Sequence, residues 1–323
     1  MRHIKQLLVF PLFSLSLFSC GDATIYPTNK YQIEMDYHDD FKIMLLTDIH
    51  YGVEANIKEQ NDQIKRMVDN EKKIDLIVID GDSFLDANKS IVNSFVDFFD
   101  SLNIKWAYTF GNHDLQGDYD YYYINEKISE AKNSVFVDFK DDNIYGLTNY
   151  FIDLKAGNDI KYRLYIIDSN TYFYTGLKYS YDVIHDDQLE HIKNIYSSTQ
   201  DKPEGLAFFH IPLIEFQEAY DEAIEKKHKY QGLNNEKCCP GYKNNGAYDV
   251  LKSIGVKAIF CGHDHLNYSD VNYNDEMILS YGVKTTNLIY HDDEIMGYKM
   301  ITLPNNPESF GLENIEAKFL KYE

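Results

Sequence analysis

The sequence has 323 residues, 44% of them hydrophobic and 26% charged, which is enough apolar material for a full core and excludes a disordered polymer. A formal net charge of -21, with no visible cluster of Lys and Arg, argues against extended nucleic acid or an anionic membrane surface as a partner. The length suits one large α/β domain, and no internal repeat, coiled coil or linker divides it.

The amino terminus reads as a processing signal. Arg2 and Lys5 precede an apolar run over 7–18 that Pro11 interrupts and that is short for spanning a bilayer. It ends in Leu17-Phe18-Ser19-Cys20-Gly21, which resembles the lipobox of bacterial lipoproteins, where cleavage leaves the cysteine for lipid attachment. A plain secretory signal is the alternative. The expected division is a signal peptide over 1–19, a tether and start of the mature chain over 20–40 with Cys20 lipidated, the main domain over 41–303, and an extension over 304–323. The expected location is outside the cytoplasm, on a lipid anchor at the cell surface or in the periplasm.

Further along, short apolar runs alternate with amphipathic ones. Strands are expected over 41–47, 74–79, 105–110, 162–167, 206–209 and 256–261. Ile57, Ile64, Met67 and Val68 share one helical face, as do Ile91, Val92, Phe95, Val96 and Phe99. A helix is expected over 119–133, where the Tyr119–Tyr123 run is either helix packing or site rim, and a strand-like passage with a turn at Asp141-Asp142-Asn143 follows. Helical spacing returns over 188–196 and 215–229, a loop over 231–245, and closing strands over 277–281, 286–291 and 296–303. Such alternation predicts a layered α/β sheet. Cys238, Cys239 and Cys261 form no disulfide framework, and Cys261 sits in an apolar run where a buried free thiol is expected.

Five polar blocks directly follow apolar runs: Asp48-Ile49-His50, Gly81-Asp82, Gly111-Asn112-His113-Asp114, His210, and Gly262-His263-Asp264-His265. In an open α/β architecture the carboxyl ends of strands converge on one crevice. So many ionisable groups gathered there are costly without a cation or hydrogen-bond partners.

The order of these blocks resembles the calcineurin-like metallophosphoesterase superfamily over about 41–300, with the closer match to its purple acid phosphatase 29-like and Dcr2-like branch. The resemblance implies a four-layer α/β/β/α sandwich with two mixed sheets. It places one metal on Asp48, His50, Asp82 and His265 and a second on Asp82, Asn112, His210 and His263, with Asp82 shared. His113 matches the catalytic histidine. Asp114 and Asp264 are candidates for hydrogen-bonding the ligand imidazoles, with loop capping the alternative. Tyr51, Tyr281 and Gly282 fall near the crevice, the tyrosines as core or rim.

The implied cofactors are two transition-metal ions, with Mn, Fe and Zn all suited to imidazole and carboxylate donors. The implied reaction is hydrolysis of a phosphomonoester or phosphodiester by activated water, with a small phosphate ester as partner. The alternatives are a catalytically weak surface binding protein that keeps the fold, and a nucleotide phosphodiesterase. Two departures stand out. Many members continue Gly-Asp as Gly-Asp-x-x-Asp, where the last Asp supports the catalytic His, but Leu85 holds that position here. Neither Phe84 nor Leu85 can supply the tyrosine iron ligand of the purple enzymes, so a non-purple centre is expected.

Overall fold

A computed structural model describes residues 26–29, 31–52, 57–138 and 143–320. The signal peptide, Cys20 and the Asp141-Asp142 turn lie outside the described residues.

Two mixed sheets carry the architecture. The first runs Ile315–Phe319, Gly297–Leu303, Phe41–Leu46, Leu76–Asp80, Lys105–Thr109, its last three strands parallel. The second has nine strands, with a parallel centre of Asp159–Ile167, Glu204–Phe208, Val256–Cys261 and Met277–Tyr281. Buried on both faces, the central strands read as unbroken apolar runs, as parallel strands do.

Period-two alternation divides the second sheet between two cores. Leu206 and Phe208 face a core shared with Ile43, Val78 and Ile152, whereas Ala207 joins Tyr165, Ile259 and Leu279 in the other. The first core also takes in the apolar stripes of the helices Ile57–Asp69, Lys89–Ser101 and Tyr121–Glu130, through Ile64, Phe95 and Ile124. The second is covered by the helices Asp186–Ser198, Glu215–Lys226 and Ala247–Ser253, through Leu189, Phe216 and Leu251. The layers are therefore α/β/β/α, as the motifs imply.

Local signals account for the helix starts. The Asn88 side chain accepts from the Ser90 and Ile91 N–H groups, and Asp120 accepts from Tyr123, each meeting donors that a helix leaves open at its first turn.

Three stretches depart from expectation. Residues read as a tether carry the strands Tyr26–Asn29 and Gln32–Asp36, the latter pairing parallel with Asn149–Ala156 at the margin of the nine-stranded sheet. The C-terminal extension supplies the edge strand Ile315–Phe319. The closing strand expected over 286–291 is absent: the segment is a loop with Ile289 at φ 63°. A short ribbon is added at the centre, the hairpin of Tyr172–Tyr174 and Tyr179–Tyr181.

Candidate metal centre

Each polar block leaves the carboxyl end of a parallel strand. Asp48 follows Phe41–Leu46, Asp82 follows Leu76–Asp80, Asn112 follows Lys105–Thr109, His210 follows Glu204–Phe208, and His263 follows Val256–Cys261. The two sheets meet there through a bridge between Thr47 and Lys284, where Thr285 N–H donates to the Thr47 carbonyl.

The chain must turn sharply to bring these groups inward. Asp48, His50, Asp82 and His263 have φ of 54°, 54°, 47° and 76°, a region that side-chain-bearing residues adopt at a cost and that concentrates at functional sites. The loops are stitched to one another: Asp48 N–H to Gly81 O, His50 N–H to Asp82 O, His263 N–H to Asp48 Oδ2 at 3.0 Å, and His113 N–H to Asp82 Oδ1 at 2.8 Å. Two glycines are dictated by this crowding. A Cβ on Gly262 would lie 1.9 Å from Thr47 Oγ1 and 2.7 Å from Asp48 Oδ2, and one on Gly81, at φ +78°, would lie 2.7 Å from the His210 ring.

Two ligand groups result, both buried: Asp48 with His50 and His265, and Asp82 with His210 and His263. Asp48 Oδ1 stands 3.3 Å from His265 Nε2 and 3.8 Å from both His50 Nε2 and His210 Nε2, so it faces imidazoles of both groups. Asp82 Oδ2 is 3.0 Å from His210 Nε2.

The donor set fits metal ions. Asp48 Oδ1 and Asn112 Oδ1 are buried oxygens with no hydrogen-bond partner among the described residues, an arrangement that a cation resolves and that is otherwise costly. His210 donates Nδ1–H to the Asp80 carbonyl and His265 donates Nδ1–H to the Tyr290 carbonyl, both at 2.9 Å, which leaves Nε2 of each ring as the ligating nitrogen.

Those carbonyls take the part expected of Asp114 and Asp264, and among the described residues neither carboxylate hydrogen-bonds an imidazole. Asp114 instead accepts from the backbone N–H of Phe84 and Gly111, and Asp264 from Cys239 N–H and the Tyr281 hydroxyl. Both carboxylates brace the loops that carry the ligands. Burial, then the neighbouring Asp82, pushes Asp114 up to about 7, and burial raises Asp264 to about 6.

The ligands themselves form a charge-compensated set. Burial works against ionised Asp48, yet the His210, His265 and His50 imidazoles hold it well below the usual carboxylate range. Asp82 is lowered in the same way, chiefly by His210. Burial also opposes a charged His210, but Asp82 and Asp48 outweigh it and raise that ring to about 10. Burial lowers His50 well below its ordinary value, and burial followed by His210 lowers His263 to about 3.

His113 stands outside both groups, half-buried, with its ring centroid 5.7 Å from that of His50. Its Nδ1 donates to Gln116 Oε1 at 2.7 Å. This is the partner that Leu85 cannot provide.

Other contributors carried no readable sequence signal. Lys284 is fully buried and donates to the Asp48 carbonyl at 2.9 Å, and burial lowers its ammonium to about 8. The Tyr290 ring stacks on His265 at 4.2 Å, the Tyr181 ring meets His263 edge-on at 4.2 Å, and the Tyr172 hydroxyl accepts from Asn112 Nδ2 at 3.1 Å. Tyr51 and Tyr281, by contrast, are core residues, and Tyr121 packs against Phe110.

Two mixed sheets between helical layers, with two His and Asp groups at their common carboxyl edge, are the fold and the donor set of the metal-dependent phosphoesterase class. A model of the family described as calcineurin-like phosphoesterase matches residues 41–267, and the chain belongs to that family. Among curated relatives, Phosphatase DCR2 of Saccharomyces cerevisiae is 28% identical over 258 residues, 70% of this chain and 44% of that protein. This chain therefore spans less than half the length of the yeast protein. "Probable inactive purple acid phosphatase 29" of Arabidopsis thaliana is 27% identical over 310 residues, 82% of this chain and 78% of the relative, and "Probable inactive purple acid phosphatase 14" of the same plant is 26% identical over 309 residues, 82% and 75%.

Proposed function

We propose that this protein hydrolyses a small phosphate monoester or diester outside the cytoplasm, and that within its family it stands on the branch of DCR2 and purple acid phosphatase 29. The observation that carries the reading is the pair of buried ligand groups, each drawing on both sheets, with His113 held beside them and outside them. Asp48, His50 and His265 would hold one ion, His210, His263 and Asn112 the other, and Asp82 is assigned as shared. When bound, the ions lower the pKa of water and supply positive charge for the phosphoryl oxygens.

The chain's own residues do the rest. Asp48 and Asp82 stay ionised, held so by the surrounding imidazoles. The carbonyls of Asp80 and Tyr290 accept from Nδ1–H of His210 and His265, which orients both rings and leaves Nε2 of each as the nitrogen that would face an ion. Gln116 accepts from Nδ1–H of His113 and orients the ring, so Nε2 is the nitrogen that, when the ring is the imidazolium, passes its proton to the departing oxygen and leaves the neutral Nδ1–H ring behind. The acidic surface favours a small substrate over an extended nucleic acid.

The names of the two Arabidopsis relatives call them inactive. Here both ligand groups and the histidine are assembled, which supports turnover in this chain. The segment before residue 26 supports export and lipidation at Cys20. Partition of the wild type into detergent, lost in Cys20→Ala, is the expected result, and equal partition of the two overturns the anchor.

Metal analysis combined with a screen of phosphate monoesters and diesters tests the activity. About two ions per chain and loss of turnover on chelation are expected. Active, unchelated protein with fewer than one ion per chain would defeat the two-metal reading.

A further inference from the structure

The hairpin of Tyr172–Tyr174 and Tyr179–Tyr181 belongs to neither large sheet. It pairs Tyr172 with Tyr181 and Tyr174 with Tyr179. Cross-strand partners project to one face and residues two apart share it, so four tyrosines line a single side of this ribbon. Their rings pair across the strands, at 5.5 Å for Tyr172 and Tyr181 and 5.1 Å for Tyr174 and Tyr179. The opposite side holds Phe173, stacked on Tyr242 at 4.3 Å, and that contact docks the hairpin on the protein.

The two pairs have different surroundings. The inner pair touches the metal centre, Tyr172 through Asn112 and Tyr181 through His263. The outer pair is 56% exposed at Tyr174 and 74% at Tyr179. Rings left this open contribute little to the fold. The face is also uncharged, since Lys178 in the connecting turn is the one ionisable side chain of the ribbon other than the phenols. It is continuous with the metal centre, and the outer pair lies two residues out along the strands, roughly 7 Å from the inner pair.

We infer that the tyrosine face is the subsite for the leaving group of the phosphoester, and that it selects an ester whose leaving group carries a flat aromatic ring. A ring joined to the phosphate through a short link reaches Tyr174 and Tyr179 while the phosphate lies at Asn112 and His263. Ring stacking rewards an aromatic group and gives little to an alkyl chain, and an uncharged face of phenols offers a second phosphate or a carboxylate no counter-charge. The inference rests on the metal centre being a phosphoesterase centre.

The test is binding of phenylphosphonate and methylphosphonate to the metal-loaded full chain, measured by titration calorimetry, beside steady-state hydrolysis of phenyl and methyl phosphate. Wild type is expected to bind the phenyl compound roughly tenfold more tightly, in line with stacking on aromatic side chains. Tyr174→Ala/Tyr179→Ala is expected to bring the ratio of the two dissociation constants close to one, and Tyr174→Phe/Tyr179→Phe, which keeps the rings, to preserve it. A second pair, adenosine 5'-monophosphate against ribose 5-phosphate, separates a nucleobase from a simple aryl ring as the source. A preference in either pair that depends on Tyr174 and Tyr179 supports the subsite. No preference in both pairs, or one that the alanine variant keeps or the phenylalanine variant loses, overturns it. Selective phenylphosphonate binding without hydrolysis of any ester would instead overturn the phosphoesterase reading, so the two failures are distinct.

Discussion

Gln116 lies three residues past His113, and the two side chains hydrogen-bond while the amide Nε2 reaches back to the Asn112 carbonyl at 3.4 Å. A neutral amide fixes the ring without placing another negative charge beside Asp82. Gln116→Ala is expected to lower kcat about tenfold with metal content unchanged, against roughly 100-fold or more for His113→Ala, the range of a positioned general acid. Loss of metal in Gln116→Ala, with turnover per bound ion intact, would refute the positioning role. No rule of spacing would have marked this glutamine, because its reach depends on how the 111–116 loop folds. The polar blocks that hold the two His and Asp groups were readable because each directly follows an apolar run, while the roles within them came from the family resemblance; Lys284 and Tyr290 come from a loop whose path only the tertiary structure determines. His210 sets a pH dependence. Its proton is retained up to about 10 when no ion competes, while His50 and His263 are already neutral at pH 7. Metal uptake at pH 7 is expected to release a proton from His210, and apparent affinity to strengthen up to tenfold per pH unit below about 10. The metal-free protein moves the opposite way: a raised histidine contributes stability in full below its ordinary 6.5 and loses it as pH climbs towards 10. Calorimetry in buffers of different ionisation enthalpy measures the released proton, and a pH-independent affinity would exclude His210 as a ligand.

At the scale of strands and helices, the parallel centre of each sheet matched its apolar runs, and the departures have definite causes. The segment 286–291 holds the strand-favouring residues Thr286, Ile289 and Tyr290, yet Ile289 turns to φ 63° and the Tyr290 carbonyl meets His265 Nδ1, a tertiary demand that outweighs local preference. Gln32–Asp36 looked like tether because it is short and polar, but its alternation of Ile33 and Met35 places two side chains in the core. Inside the nine-stranded sheet, Arg163 on Asp159–Ile167 forms a two-pronged pair with Asp153 on the neighbouring strand, at 2.6 and 2.9 Å, and donates to Thr199 at the end of the helix Asp186–Ser198. Both charged side chains are buried. Arg163→Met alone strands a buried carboxylate and is expected to cost about 3–5 kcal/mol, whereas Arg163→Met with Asp153→Leu should recover much of that loss. Chemical denaturation of the three proteins decides it, and equal stability of the single and double variants would contradict the account.

For the molecule as a whole, each ligand group spans the two sheets: Asp48 and His50 leave one and His265 the other, and Asp82 leaves one and His210 and His263 the other. Ions held there bind the folded chain and not the unfolded one, so chelation is expected to lower Tm by roughly 10 °C at ion concentrations about a thousandfold above Kd. Differential scanning calorimetry with and without chelator measures the shift, and an unchanged Tm would show that the ions do not join the halves. The same division fixes when loading happens during the life of the chain. Until residue 263 of 323 has been synthesised and folded against the first strands, neither group has all its ligands. Metal is thus acquired late, from whichever ion pool surrounds the finished fold, so the place where folding ends, rather than the place of translation, chooses among Mn, Fe and Zn.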